Sequence, residues 1–244
     1  MYQTVGGWRP ISLLSTIGKA IETVIASRIA ETAEECNLLL ESQMGNRKGR
    51  NAELAIRVVT EAIYSSWKHR GVASLLQLDI KGAFDMVNYV RLLDTMRSKG
   101  YPLWVVRWLQ SYLKDRTSVL QFDDDKTEPI PIRAGVPQVL PLSPILFNIY
   151  LASLYEKLGT MRGLLVVGFT DDTNVLSIAR EAQVNQQRLE RAWQMCEEWA
   201  ILRGMRFAPE KSELMHFTRA RRPIRLGVRL GPNVSQWLCT CRGK

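Results

Sequence analysis

The sequence predicts an α+β fold, and three observations predict it. An apolar run over residues 74–78 ends in a single carboxylate, Asp79, as a buried strand delivering an acid at its end would. The stretch GFTDDTNVLS, residues 168–177, sets Asp171 and Asp172 between apolar residues on both sides, the pattern of a β-hairpin. Elsewhere apolar residues recur at helical spacing over long segments, among them 52–69 and 181–203.

In order, the chain opens with WRPISLL, where Arg9 and Pro10 precede an apolar run. Ile17, Ala20, Ile21, Val24, Ile25 and Ile29 then recur at helical spacing and predict a helix with one apolar face. Residues 41–50, ESQMGNRKGR, set Arg47, Lys48 and Arg50 around two glycines. Such a loop approaches phosphates through its backbone while its side chains neutralise charge. A solvated loop between helices fits the same spacing. The helix from about residue 52 to 69 buries Leu54, Ala55, Val58, Val59, Ala62 and Ile63, with Trp67 assigned to the core rather than to base stacking.

After the Asp79 strand, residues 89–99 read as a short helix ended by Gly100, and Pro102 opens another. That second helix carries Trp104, Val105, Trp108, Leu109, Tyr112 and Leu113 on one face. Residues 117–122 and 129–132 alternate as a hairpin around Asp123, Asp124 and Asp125, whose polar neighbours mark a solvated tip. A Pro-rich loop, AGVPQVLPLS, leads into an apolar helix over 144–158. Beyond the Asp171–Asp172 hairpin, a helix over 181–203 stops at Gly204. Residues 205–207, a loop with Pro209, Glu210 and Lys211, and residues 214–218 then form a strand–loop–strand. Arg219, Arg221, Arg222, Arg225 and Arg229 follow in a basic stretch with little hydrophobic pattern. There is no internal repeat and no linker that forces a domain boundary.

Composition narrows the function classes. A chain of 244 residues buries a sizeable core as one compact unit or two closely joined lobes. Its 46% hydrophobic and 23% charged residues are those of a soluble globular protein. A net charge of +9 favours a polyanionic partner, nucleic acid ahead of an anionic membrane. No apolar run is long enough to span a bilayer, and the N-terminus does not read as a signal peptide. Cys36, Cys196, Cys239 and Cys241 are scattered except for one C-x-C, which fits reduced thiols better than a zinc site.

The carboxylates carry the chemical signal. Unpaired acids beside a core are costly, and adjacent acids repel. A divalent cation removes both penalties, and one Asp with an Asp pair suits two Mg²⁺ ions roughly 4 Å apart, the clamp used in nucleotidyl transfer. Each element alone has a plainer reading, since Asp after a strand is a common cap and Asp-Asp a common turn dipeptide.

Taken in order, RPISLL, Q-x-G-x-R-x-G-R, LDIKGAFD, GVPQ-x-x-PLSPILF, F-x-DD and FAPEKSELMHF resemble the reverse transcriptases of non-LTR (LINE-type) retrotransposons, particularly those of fungi. The resemblance covers residues 8–218, and it is the ordered set of six motifs that makes it specific. It implies the fingers and palm of a right-handed polymerase, an antiparallel sheet backed by helices. It makes Asp79, Asp171 and Asp172 the catalytic carboxylates, with Asp79 and Asp171 as direct Mg²⁺ ligands and the Ile80 carbonyl as an additional candidate. Two Mg²⁺ ions, with Mn²⁺ as a substitute, would serve attack of a primer 3′-OH on the α-phosphate of a deoxynucleoside triphosphate. Phe84 falls where the family places the aromatic that blocks a ribose 2′-OH, core packing being its alternative. Arg9, Gln138 and Lys211 match nucleotide-binding positions, Lys211 being placed to protonate or steady the leaving pyrophosphate. Arg47, Lys48 and Arg50 match the finger motif that faces the template.

The sequence departs from the family pattern at Asn46, where Phe is usual, and at Val139 and Leu140, where Gly-Ser is usual. The expected organisation is a fingers–palm domain over 1–218 and a basic, truncated or poorly ordered stretch over 219–244, without the endonuclease and thumb of family members. The expected function is RNA-directed DNA polymerase chemistry; the competing expectation is a catalytically impaired remnant that at most binds nucleic acid, and Val139-Leu140 with the absent thumb predict weak, distributive extension. The expected partners are an RNA template, a DNA primer and deoxynucleoside triphosphates, with no membrane and no protein partner named. The expected location is intracellular, with the nucleus implied by the resemblance.

Overall fold

The computed structural model describes residues 15–119, 121–122, 125–137, 140–221, 223–231, 235–236 and 240–242. Arg9, Asp123, Asp124, Gln138, Val139 and Arg222 lie outside the described residues. In chain order the elements are α1 (Thr16–Glu35), α2 (Ala52–Lys68), β1 (Val72–Leu78), α3 (Tyr89–Ser98), α4 (Leu103–Leu113), β2 (Thr117–Ser118), β3 (Gln121–Phe122), β4 (Asp125–Lys126), β5 (Ile130–Pro131), α5 (Leu142–Gly159), β6 (Leu164–Phe169), β7 (Asp172–Ala179), α6 (Ala182–Arg203), β8 (Glu213–Thr218), β9 (Val228–Arg229), β10 (Ser235–Gln236) and β11 (Thr240–Arg242). They group into two compact units, Met1–Leu38 with Gly82–Tyr150 and Leu39–Lys81 with Leu151–Lys244. Each unit is built from two separated stretches of chain, so no single linker marks a boundary.

The second unit is organised on a five-stranded sheet of order β11-β8-β1-β7-β6 among the described residues. β1 runs antiparallel to β7 and β8 on either side, β6 closes the hairpin with β7, and β11 pairs parallel to β8. One face packs on α2 through Ile63, with Ala73, Leu75 and Leu176 in the same cluster. The other face meets α6, whose Asn185 donates to the Val72 carbonyl and the Ser74 hydroxyl. A strand covered on both faces has no solvent side, which explains why β1 is mostly apolar and why its Ser74 is buried with hydrogen-bond partners.

Polar residues on the α6 face form a closed network. His216 Nε2 donates to the Leu226 carbonyl at 2.9 Å, so its Nδ1 accepts from Ser74 Oγ at 2.8 Å. Ser177 Oγ donates to Asn185 Oδ1, which satisfies the remaining amide oxygen. Burial holds the His216 pKa below its ordinary range. Through Leu226 the network fastens the basic stretch to the sheet. That stretch contains structure that its composition did not reveal, with β9 paired to β10 and Val228 and Leu230 buried.

The first unit contains α1, α3, α4, two short strand pairs and the opening of α5. The predicted hairpin is present as β2 with β5 and β3 with β4, but Asp125, expected at the solvated tip, lies in β4 and pairs with Phe122. The apolar face expected of α1 is divided. Ile25, Ala26, Ile29 and Ala33 are buried, whereas Ile17, Ile21 and Val24 are exposed. Glu22 shares the buried side, where its carboxyl accepts from the Leu142 amide at the start of α5. An acid at a helix N-terminus satisfies an orphan N–H and faces the positive end of the dipole. Burial nevertheless raises its pKa. On α4 the core residues are Val105, Val106, Leu109 and Leu113, while Trp104 is half-exposed, contrary to its expected place on the buried face.

Candidate active site

Strand register brings the acids together. β1 pairs with β7 from Val72–Ala179 to Leu78–Thr173. The next step along this register sets Asp79 beside Asp172. β6 and β7 pair up to Phe169–Asp172, which leaves Thr170 and Asp171 as the two-residue turn. Asp171 therefore stands at the tip and Asp172 at the first position of β7, both at the end of the sheet where β1 delivers Asp79.

The segment before β8 completes this end. Lys81 N donates to the Arg206 carbonyl and Ala208 N to the Asp79 carbonyl, both at 2.9 Å, around the Ile80–Phe207 bridge. In such an antiparallel pair the two bridged residues turn their own amides away from each other, so the Ile80 carbonyl is directed away from Phe207. A 3-10 turn, Pro209–Lys211, follows and carries Lys211 back to the acid, with Nζ 3.3 Å from Asp79 Oδ2.

The electrostatics are those of crowded acids. Asp172 is an exposed residue, yet partial desolvation of its carboxyl, with the negative charges of Asp171 and Asp79, raises its pKa. Among the described residues no three His, Cys, Asp or Glu side chains stand close enough to hold an ion as they are. The donor set nevertheless fits a hard divalent cation: carboxylate oxygens at one strand end, one with its charged form disfavoured by the other two.

The turn is supported from behind by small residues and hydroxyls. Tyr155, fully buried on α5, shares a 2.9 Å hydrogen bond with Thr173 Oγ1, and its ring lies so close to Gly168 that a side chain there would collide with the phenol. Met44 N donates to the Gly168 carbonyl at 2.7 Å, and Gly168 N to the Ser42 carbonyl at 2.9 Å. Gly45 lies against the Thr170 backbone, again with no room for a Cβ. The glycine assigned to phosphate approach thus serves approach to the hairpin.

Arg47 requires a correction. It is expected to face a template, but it is 8% exposed and its guanidinium donates to the Leu40 and Gln43 carbonyls. The loop folds back on itself, and Arg47 is the donor that satisfies its inward carbonyls. Lys48 is exposed. Arg50 is half-buried, donating to the Glu41 carbonyl and lying 3.7 Å from Met44 Sδ.

Phe84 and Leu140 belong to the first unit. The Phe84 ring is half-buried and tilted against Phe147, centroids 5.0 Å apart, and its carbonyl accepts from Val136 N. Leu140 is buried, 6% exposed, and its carbonyl accepts from Ser143 N as α5 begins. The residues missed by sequence reasoning are Tyr155 and Thr173. The accessible signal was Gly168 between Val167 and Phe169, since a glycine inside a strand marks close approach by a neighbour.

Residues 3–236 match the family model described as reverse transcriptase (RNA-dependent DNA polymerase). The chain is 28% identical over 203 residues to the probable RNA-directed DNA polymerase from transposon BS of Drosophila melanogaster, covering 80% of this chain and 22% of that protein. It is 29% identical over 216 residues to the corresponding polymerase of the X-element in the same organism, covering 88% and 24%. The Pol polyprotein of the type-1 retrotransposable element R2 of Popillia japonica matches at 26% identity, over 69% and 25% of the two chains. This chain therefore spans about a quarter of the length of the curated relatives it matches. Among solved structures, apo telomerase from Candida tropicalis, truncated from the C-terminal domain, superposes with a TM-score of 0.57 at 14% identity, covering 81% of this chain and 40% of that one. At that identity the likeness concerns the fold alone, helices with an antiparallel sheet.

Proposed function

Because this chain belongs to the reverse transcriptase (RNA-dependent DNA polymerase) family, with relatives among non-LTR retrotransposon polymerases, we propose that it extends a DNA primer on an RNA template by nucleotidyl transfer. The observation that carries this reading is the register that sets Asp79 beside Asp172, one residue from the Asp171 tip. Asp79 and Asp171 would hold two Mg²⁺ ions, with Asp172 adjacent and the Ile80 carbonyl as an added oxygen donor. When bound, such ions supply charge that favours the 3′-alkoxide and neutralises the leaving pyrophosphate.

The chain's own groups position the reactants. The end of β1 and the braced turn bring the carboxylates to one end of the sheet, where a bound cation would draw their oxygens together. Lys211 is exposed and already 3.3 Å from Asp79, suited to donate a proton to the leaving group or to steady its charge. Lys48 and Arg50 take the template role; Arg47 braces the loop that carries them. The aromatic ring of Phe84 is assigned the exclusion of a 2′-OH.

The test is primer extension on poly(rA)/oligo(dT) with deoxythymidine triphosphate in Mg²⁺ and then Mn²⁺. Extension by the wild type and its loss in Asp171→Ala are expected, and Phe84→Val is expected to admit ribonucleotides. Extension that persists in Asp171→Ala would remove the carboxylates from the reaction, and a wild type inert in both metals would favour the nucleic-acid-binding remnant.

A further inference from the structure

The turn that carries Asp171 is built in an unfavourable conformation. Thr170, its first residue, has φ +56°, in the left-handed region that β-branched side chains resist. Facing it, Asn46 also sits at φ +54°, a region Asn tolerates better than most residues. The Asn46 side-chain amide meets the Thr170 hydroxyl, Nδ2 to Oγ1, at 3.0 Å, across 124 positions of sequence. Gly45 beside it lies directly on the Thr170 backbone. The loop behind is itself fixed by the buried Arg47 guanidinium and by backbone bonds from Ser42 and Met44 to Gly168.

Resting on the metal-dependent reading above, we propose that Asn46 is a positioning residue: its amide latches the Thr170 hydroxyl, holds the turn left-handed and so fixes the direction in which Asp171 presents its carboxylate to a divalent cation. Asn46 stands where the resembled family usually carries Phe. The two positive-φ residues meet in a single contact. A phenylalanine side chain could pack against such a turn but could not hydrogen-bond a hydroxyl there. The latch is specific because it joins one donor to one acceptor at the residue next to the ligand. Releasing it lets Thr170 relax toward negative φ, which turns the following carboxylate away from Asp79.

The test separates the latch from general stability. In the full 244-residue chain, Asn46→Gly removes the amide while keeping a residue at ease with positive φ, and Thr170→Val removes the hydroxyl while keeping its shape. Mn²⁺ affinity is read from the electron paramagnetic resonance of the free ion, with Asp171→Ala defining carboxylate-dependent binding. Each latch variant is expected to weaken that binding by about three- to tenfold, the range of one exposed hydrogen bond. The double variant is expected to be no weaker than either alone. Thr170→Gly placed on Asn46→Gly is expected to restore affinity, because glycine holds the turn without a latch. Melting temperatures are recorded alongside, since a merely structural contact lowers stability and leaves the Mn²⁺ affinity unchanged. Wild-type affinity in Asn46→Gly, or no rescue by Thr170→Gly, overturns the latch alone. Equal Mn²⁺ binding by the wild type and Asp171→Ala overturns the metal-site reading and the latch with it.

Discussion

At the scale of single residues, the site is a problem of charge. Asp172 shares one sheet end with Asp171 and Asp79, and partial desolvation together with their charges raises its pKa in the folded chain. An acid whose folded pKa lies above its unfolded value binds its proton more tightly in the native state. Its contribution is therefore present at pH values below the unfolded pKa and is lost as pH rises through the folded one. At neutral pH the charged Asp172 accordingly opposes folding. Asp172→Asn is expected to melt higher than the wild type at pH 7–8, with the difference shrinking toward pH 4 in thermal scans. Mg²⁺ added to the wild type is expected to narrow the same gap. A variant that melts lower than the wild type at neutral pH would show that Asp172 is stabilised by its neighbours rather than opposed by them.

At the scale of elements, the basic loop before α2 has an inner and an outer side. Arg47 is the inner side, and its guanidinium serves the Leu40 and Gln43 carbonyls. Arg47→Met leaves buried carbonyls without that donor and is expected to cost about 3 kcal/mol in urea denaturation, from the usual penalty of unsatisfied buried groups. Because the guanidinium is buried against these carbonyls, its removal should not alter the salt slope of nucleic-acid binding while the protein remains folded. Lys48, exposed on the same loop, should behave in the opposite way: Lys48→Gln should flatten the slope by roughly 0.9, the increment for a single phosphate, and leave the denaturation midpoint unchanged. An unchanged midpoint in Arg47→Met would return Arg47 to the template side.

At the scale of the whole molecule, charge selects the partner. The chain carries a net +9, and Arg219, Arg221, Arg225 and Arg229 are all exposed along the stretch that His216 ties to the sheet. No helix among the described residues is long and apolar enough to cross a membrane. Binding to an RNA–DNA duplex is expected to weaken steeply with added salt, and replacing these four arginines by glutamine should lower the slope by roughly 0.9 for each phosphate that is no longer neutralised. Fluorescence anisotropy across a salt series reads this directly. Affinity indifferent to salt would mean that the basic surface does not meet phosphates.

Local physics made much of this molecule legible in its sequence. The buried strand, the hairpin and most helices follow from period, turn chemistry and capping, which act between residues a few positions apart. Asn51 and Asn88 cap α2 and α3, and Gly204 ends α6 at φ +72°. The candidate acids Asp79, Asp171 and Asp172 stand out in the sequence because one strand end and one turn each display carboxylates where apolar neighbours make them costly. Tertiary structure alone decided the rest. The inward direction of Arg47 depends on carbonyls that a folded-back loop presents, and the tight fit of Gly45 depends on Thr170 far along the chain. The burial of Glu22 on α1 depends on the Leu142 amide at the start of α5. His216 became the anchor of the basic stretch because its acceptor, Leu226, lies beyond the strand that carries it. Periodicity states that a side chain points to one side of an element. Only the packed chain supplies the donor, acceptor or empty space that it meets there.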